Sequence, residues 1–273
     1  NQPKQVEKTK NVFCYKNFTL TFLGAFVSNL GNTLYLFAVS FYILSLTNNN
    51  AFIQGAYLAT GGIVYVLVTL FGGVSSDRFH KGKIMFMCDY AKGGMLIAFT
   101  LLLMLVIQDP SAKVVVLFII AVLGNIIAAI FSPAASSLLP RIVPEKSYQQ
   151  AQSYNSLMQS SLGVLGVILA AILYSVLDIH VLFFIVGGCY VLSGVSEMFI
   201  KYDYQKNEDK LTVKQVFKDI GDGMKYIGKL KPLLFLMLGI LLLNFFVSPL
   251  SANFLPYFVA TDVASRNYLF SNF

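Results

Sequence analysis

A chain of 273 residues that is 56% hydrophobic and only 12% charged is not an ordinary soluble domain, in which about a quarter of residues carry charge. The net charge of +7 would suit nucleic acid if it formed a patch. Instead, 17 of the 20 Lys and Arg lie before the first apolar run or in every second connection after it, so no nucleic-acid partner is expected.

Seven apolar runs follow one another: Phe18–Leu46, Ala51–Ser75, Ile84–Ile107, Val114–Leu138, Ala151–Leu177, Val181–Ile200 and Leu233–Ala260. A helix rises 1.5 Å per residue and needs about 20 apolar residues to cross a bilayer core of about 30 Å. The runs are continuous rather than alternating, which excludes barrel strands. The expected fold class is therefore all-α integral membrane: a six-helix bundle, a surface amphipathic helix and a seventh transmembrane helix. Positive charge concentrates on cytoplasmic loops, so residues 1–17 are expected inside the cell, in a plasma membrane crossed several times. Lys113 and Arg266 are the exceptions on the opposite side, and Lys92 falls within the third run.

Four parts are expected: a cytoplasmic segment (1–17), the six-helix bundle (18–200), a basic connector (201–232) and the opening of a second bundle (233–273). In the connector, Thr212 and Gln215 have capping-box spacing. Val213, Val216, Phe217, Ile220, Met224 and Ile227 then share one helical face. Such a helix would lie on the membrane surface or pack on the spans. The layout is that of half a transporter plus the start of its second half, leaving a C-terminal half of the same transporter as an expected partner.

Asp89 and Lys92 are three residues apart near the start of run three, and Glu197 ends run six. The first two can pair. All three are expected near the cytoplasmic surface, and no charge is expected at mid-span. Mid-span polarity is neutral: Ser28, Asn29, Asn32 and Tyr35 in run one, Asn125 in run four, Gln152, Asn155, Ser156, Gln159 and Ser160 in run five, and Asn244, Ser248 and Ser251 in run seven. Such residues knit helices together or line a wet cavity. Phe22, Phe26, Phe37, Phe41, Phe245 and Phe246 are either bulk or the aromatic wall of a site for an amphipathic solute. The cysteines (Cys14, Cys88, Cys189) and histidines (His80, His180) are scattered. They offer no disulfide framework, metal spacing or nucleophile–base pair, so neither a cofactor nor an enzyme activity is expected.

The loop after run two reads Gly72-Gly73-Val74-Ser75-Ser76-Asp77-Arg78-Phe79-His80-Lys81-Gly82-Lys83. Gly73, Asp77, Arg78 and Lys81 match the signature loop of the major facilitator superfamily, which this segment resembles. Further pieces are similar to its drug:H+ antiporter branch, which holds macrolide-efflux and enterobactin-exporter proteins. They are Ser28–Asn32, Cys88–Lys92, Phe131–Ala134 with Leu139–Pro144, and Gly221–Pro232. There are two departures. Asn32 stands where the branch often has Asp, and the stretch Gly163–Ala170 lacks the branch's proline while keeping Gly163, Gly166 and Ala170 on one small face.

The resemblance implies alternating access around a midplane site. Asn29, Asn32, Tyr35, Asn125, Gln159 and Asn244 would touch a small-molecule substrate. Gly73, Asp77, Arg78, Lys81, Asp89 and Lys92 would form a gate. Protons would be carried by Asp89, by Glu197 or by a carboxylate beyond these spans. The implied function is export of hydrophobic or amphipathic drugs or metabolites from a bacterial cell. An importer or lipid transporter would share the fold, and a gene ending at Phe273 would favour a non-transporting membrane scaffold.

Overall fold

The computed structural model describes residues 11–76, 80–201, 221, 225–243 and 246–247, and for 70–76 the backbone alone. Among them there is no strand. A 3-10 turn (Val12–Cys14) leads into α1 (Lys16–Leu46), α2 (Ala51–Ser76), α3 (Lys81–Leu105) and α4 (Pro110–Ile142). The fifth span is α5 (Glu145–Ser161), a π-helical turn (Leu162–Gly166) and α6 (Val167–Val176), and α7 (Ile179–Met198) is the sixth. Six helices are long and apolar enough to cross a membrane. A further helix covers Lys231–Leu243, where the seventh span was expected. Most of the expected amphipathic helix lies outside the described residues.

Local chemistry sets the boundaries. Asn48 and Asn49 take the left-handed backbone (φ 51° and 60°) between α1 and α2, a region Asn tolerates better than most residues. Asn50 Oδ1 then accepts from Phe52 N and Ile53 N to start α2. Asp109 Oδ2 accepts from Ala112 N at 2.8 Å, and Pro110 fills the first turn of α4, where a missing N–H costs nothing. His80 Nδ1 accepts from Lys83 N at 3.3 Å and caps α3. Burial and the Lys83 charge hold this imidazole below its usual pKa, consistent with the neutral form an accepting Nδ1 requires. At the far end Asp178 accepts from the N–H of His180 at 2.8 Å and from its ring at 2.7 Å. These bonds, the backbone one foremost, hold its carboxyl below the usual range.

The fifth span, which lacks the branch's proline, carries a π-helical turn at Leu162–Gly166 instead. Its π turn disturbs the i→i−4 ladder, a recognised cause of bending. Gly166 and Ala170 are buried, and Gly166 faces Thr33 of α1. Gly163 meets nothing within 4 Å, so the small face packs through two residues rather than three.

Two apolar cores stack along the bundle. One gathers Val12, Phe18, Met85, Leu138, Leu139, Ile142 and Ile200 at the end where the chain enters. The other gathers Leu34, Val39, Ile43, Leu103, Leu117, Leu182 and Phe183 at the opposite end. In α1, α3, α4 and α7 the polar residues Ser28 and Asn32, Asp89 and Lys92, Asn125, and Ser193 and Glu197 occupy the interval between them. A tight helix crossing in this layer joins α3 to α7. A Cβ on Gly93 would lie 2.9 Å from the Gly187 carbonyl oxygen, and one on Gly187 would lie 2.7 Å from Ile97 Cγ1. Leu67, Met104, Leu157, Ile172 and Leu192 point outward, as a hydrocarbon solvent demands.

Candidate functional site

Lys92 is the centre of the polar layer. The sequence reading started the third span at Ile84, but α3 begins at Lys81, itself buried. At 1.5 Å per residue, Asp89 lies about 12 Å and Lys92 about 17 Å along it, near the middle of a 25-residue helix. The expectation that no charge reaches mid-span is therefore wrong. So is the expectation that Asp89 and Lys92 sit in the first turns of their helix. Asp77 and Arg78, beside which they were expected, lie outside the described residues, and Gly73 continues α2 instead of opening a turn.

The Lys92 ammonium donates to Asn32 Oδ1 at 3.4 Å and sits 4.5 Å from the centre of the Tyr190 ring. Tyr190 donates its hydroxyl proton to the same Asn32 oxygen at 3.2 Å. One amide thus ties α1, α3 and α7 together. The cation–π contact and a bond to a neutral oxygen offset part of the cost of a charge inside lipid. Among the described residues no ion pair joins Lys92 to Asp89, although their spacing allows one.

Both buried carboxylates carry oxygens without a hydrogen-bond partner among the described residues. Asp89 is 4% exposed and its Oδ2 has no hydrogen-bond partner. Glu197 is 1% exposed, and neither of its oxygens has one. It closes α7 as expected, yet it is covered, with Gly24 of α1 against its side chain. Ser193, also on α7, donates to the Gly24 carbonyl at 2.9 Å. Leaving buried polar groups unpaired costs on the order of 1–3 kcal/mol each, and more for charges. This seam is therefore a place where the fold gives up stability.

Two cavities meet at this layer. A vestibule of about 820 Å³ is lined by Ser28, Asn29, Asn32, Asp89, Lys92 and Gln159, with other polar residues of α5. A chamber of about 300 Å³ lies between α1, α2, α3, α4 and α7, walled by Tyr35, Tyr57, Asn125, Tyr190 and the aliphatic Leu58 and Ile120. Asn32 and Lys92 belong to both linings. The structure thus brings five of the six expected substrate residues to two adjoining cavities: Asn29 and Gln159 to the vestibule, Tyr35 and Asn125 to the chamber, Asn32 to both. Asn244 lies outside the described residues.

The chamber's aromatic wall is made of tyrosines, and of the six phenylalanines weighed as bulk or wall none that is described lines a cavity, Phe245 lying outside the described residues. Phe22 packs into the apolar core, Phe37 and Phe41 stack near Tyr174, and Phe26 is exposed away from both cavities. Tyr57 and Tyr190 were missed because each is a single residue in an apolar run. Their signal was a hydroxyl that a buried position must satisfy. Tyr35 and Tyr57 satisfy each other at 2.9 Å.

A polar layer between two apolar cores, opened by a vestibule, is the architecture of a solute-handling membrane bundle. The sequence profile of the Major Facilitator Superfamily matches residues 21–268, and the chain belongs to that superfamily. It is 25% identical to the uncharacterized MFS-type transporter YkuC of Bacillus subtilis (strain 168), over 86% of this chain and 55% of that protein. It is 24% identical to macrolide efflux protein A of Streptococcus pyogenes, over 91% of this chain and 62% of that protein. The chain thus spans between half and two thirds of the length of these relatives. No solved structure matches it.

Proposed function

We propose that this chain forms the N-terminal bundle of an alternating-access exporter of hydrophobic or amphipathic small molecules in a bacterial plasma membrane. The observation that carries the reading is the pair of cavities that share Asn32 and Lys92 in their linings, midway along the spans. A wet, polar-lined space is expensive inside lipid unless something enters it. The resemblance to macrolide efflux protein A supports outward traffic and a bulky solute. In this reading residues 18–200 are the first bundle, 201–232 a cytoplasmic connector, and 233–273 the opening of a second bundle that covers the vestibule. The basic loops face the cytoplasm.

Gly73, Asp77, Arg78 and Lys81 act at the cytoplasmic edge, closing the bundle in one of its two states. Asp89 and Glu197 carry protons: coupling needs groups whose protonation differs between the two facing states, and these are the buried carboxylates of the seam. In inside-out vesicles of cells expressing the full-length protein, a labelled macrolide is expected to accumulate when a proton gradient is imposed. Asp77→Asn should slow that uptake severalfold while leaving macrolide binding unchanged, since the edge charge serves one conformation rather than the cavity. Uptake only by whole cells would reverse the direction, and wild-type uptake by the variant would reduce the loop to a charged turn.

A further inference from the structure

We propose that the chamber behind Asn32 is a subsite for the carboxylate of an amphipathic organic acid, with Lys92 as its counter-ion. This deepens the transport reading above and rests on it. Among the described residues, Lys92 is the one charged residue in the chamber lining. Its ammonium has three donor protons and a single hydrogen bond, long at 3.4 Å, to an oxygen that Tyr190 also uses. Two donor positions are left for a ligand.

The chamber's other polar groups are also donors toward a guest. Tyr35 and Tyr57 share one bond, so whichever hydroxyl donates, the other keeps a proton to give. Asn32 spends its carbonyl on Lys92 and Tyr190, which leaves its amide N–H groups. Asn125 spends one amide N–H on the Ala121 carbonyl at 2.8 Å, leaving its other N–H beside its carbonyl oxygen. Asp89 lies close enough to act on the Lys92 charge, but it lines the vestibule and not the chamber, and among the described residues it forms no ion pair with Lys92, so the donors that face the chamber stay open to a guest.

The remaining wall, including Leu36, Leu58, Met95, Leu96 and Ile120, is aliphatic. The volume of about 300 Å³ is at the lower end for small-molecule sites. It suits a bicyclic aromatic or short aliphatic acid, or the acidic end of a larger solute whose bulk stays in the vestibule. An acid at position 32 would have supplied Lys92 with an internal counter-charge. The Asn present there keeps the charge available.

The test is equilibrium binding of radiolabelled 2-naphthoate to the purified full-length protein at neutral pH, with 2-naphthamide and 2-naphthylmethylamine as neutral and cationic competitors of matched shape. The wild type should prefer the carboxylate by roughly tenfold or more, the size of one charge-assisted hydrogen bond. Lys92→Gln should abolish the preference and Lys92→Arg should keep it. Asn32→Asp should remove it with Lys92 still in place. Equal binding of the three probes by the wild type overturns the proposal, without any variant needing to fold. So does an unchanged preference in Lys92→Gln. Carboxylate-selective binding by a protein that moves no solute would leave the subsite standing and sink the transport reading. Solute transport with no charge preference in binding would do the reverse.

Discussion

Replacing Asp89 by Asn is expected to cut pH-driven uphill transport steeply while downhill exchange of solute continues. Full-length protein in liposomes under an imposed pH gradient gives the readout. Asp89 is buried, its Oδ2 is unpartnered, and it lines the vestibule. Water reaching the vestibule from one side and then the other would meet this carboxyl in turn, as coupling requires. Glu197 has neither oxygen partnered among the described residues but lines neither cavity. Glu197→Gln should therefore weaken the drive without removing it. The expected loss in Asp89→Asn is between about 5- and 150-fold, the range of an ordinary coupling free energy. Full gradient-driven transport by Asp89→Asn would move the proton site to a carboxylate beyond these helices. Equal and complete loss in both variants would make the seam a single unit.

The second large effect is on stability. Gly93→Leu should lower the melting temperature of the detergent-solubilised protein sharply, whereas Gly94→Leu, one residue away, should leave it nearly unchanged. At Gly93 the first added carbon would meet a backbone oxygen at 2.9 Å, Val191 Cγ2 at 3.0 Å and Tyr190 Cβ at 3.2 Å. A backbone carbonyl cannot swing aside as a flexible side chain can, so α3 and α7 must separate. Overpacking of this kind costs typically 1–3 kcal/mol and occasionally more, and the separation pulls Tyr190 from Lys92. At Gly94 an added Cβ meets nothing within 4 Å. Similar melting of the two variants would mean that the crossing is looser than its geometry.

Hydropathy located every one of the six spans but not their ends. It expected the fourth at Val114–Leu138, and the helix runs Pro110–Ile142. Apolar runs mark the hydrocarbon portion, while helices continue through the headgroup region to their caps, here Asp109. The same effect at α3 had a larger consequence. Lys81 and Lys83 looked like loop residues because they are charged, yet Lys81 opens the helix as a buried residue, and that shift carried Asp89 and Lys92 into the middle of the membrane. Sequence patterns could bring Asn29, Asn32, Tyr35, Asn125 and Gln159 forward as polar residues in apolar runs. They could not show that Asn32 meets Lys92 and Tyr190, which lie 60 and 158 residues away. That contact arises from how three helices cross, and no local periodicity records it. The π turn at Leu162–Gly166 was hidden for a related reason: without a proline, composition does not distinguish a widened turn from a regular one.

Two-sided access to the vestibule is the central claim, and a single cysteine reads it directly. Gln159 is exposed to the vestibule on α5. With Gln159→Cys in full-length protein lacking Cys14, Cys88 and Cys189, an impermeant thiol reagent should label the site both in intact cells and in inside-out vesicles. A bound solute should raise labelling from one side and lower it from the other. Labelling from one side alone, whatever the solute or pH gradient, would contradict alternating access and leave a membrane protein that does not transport.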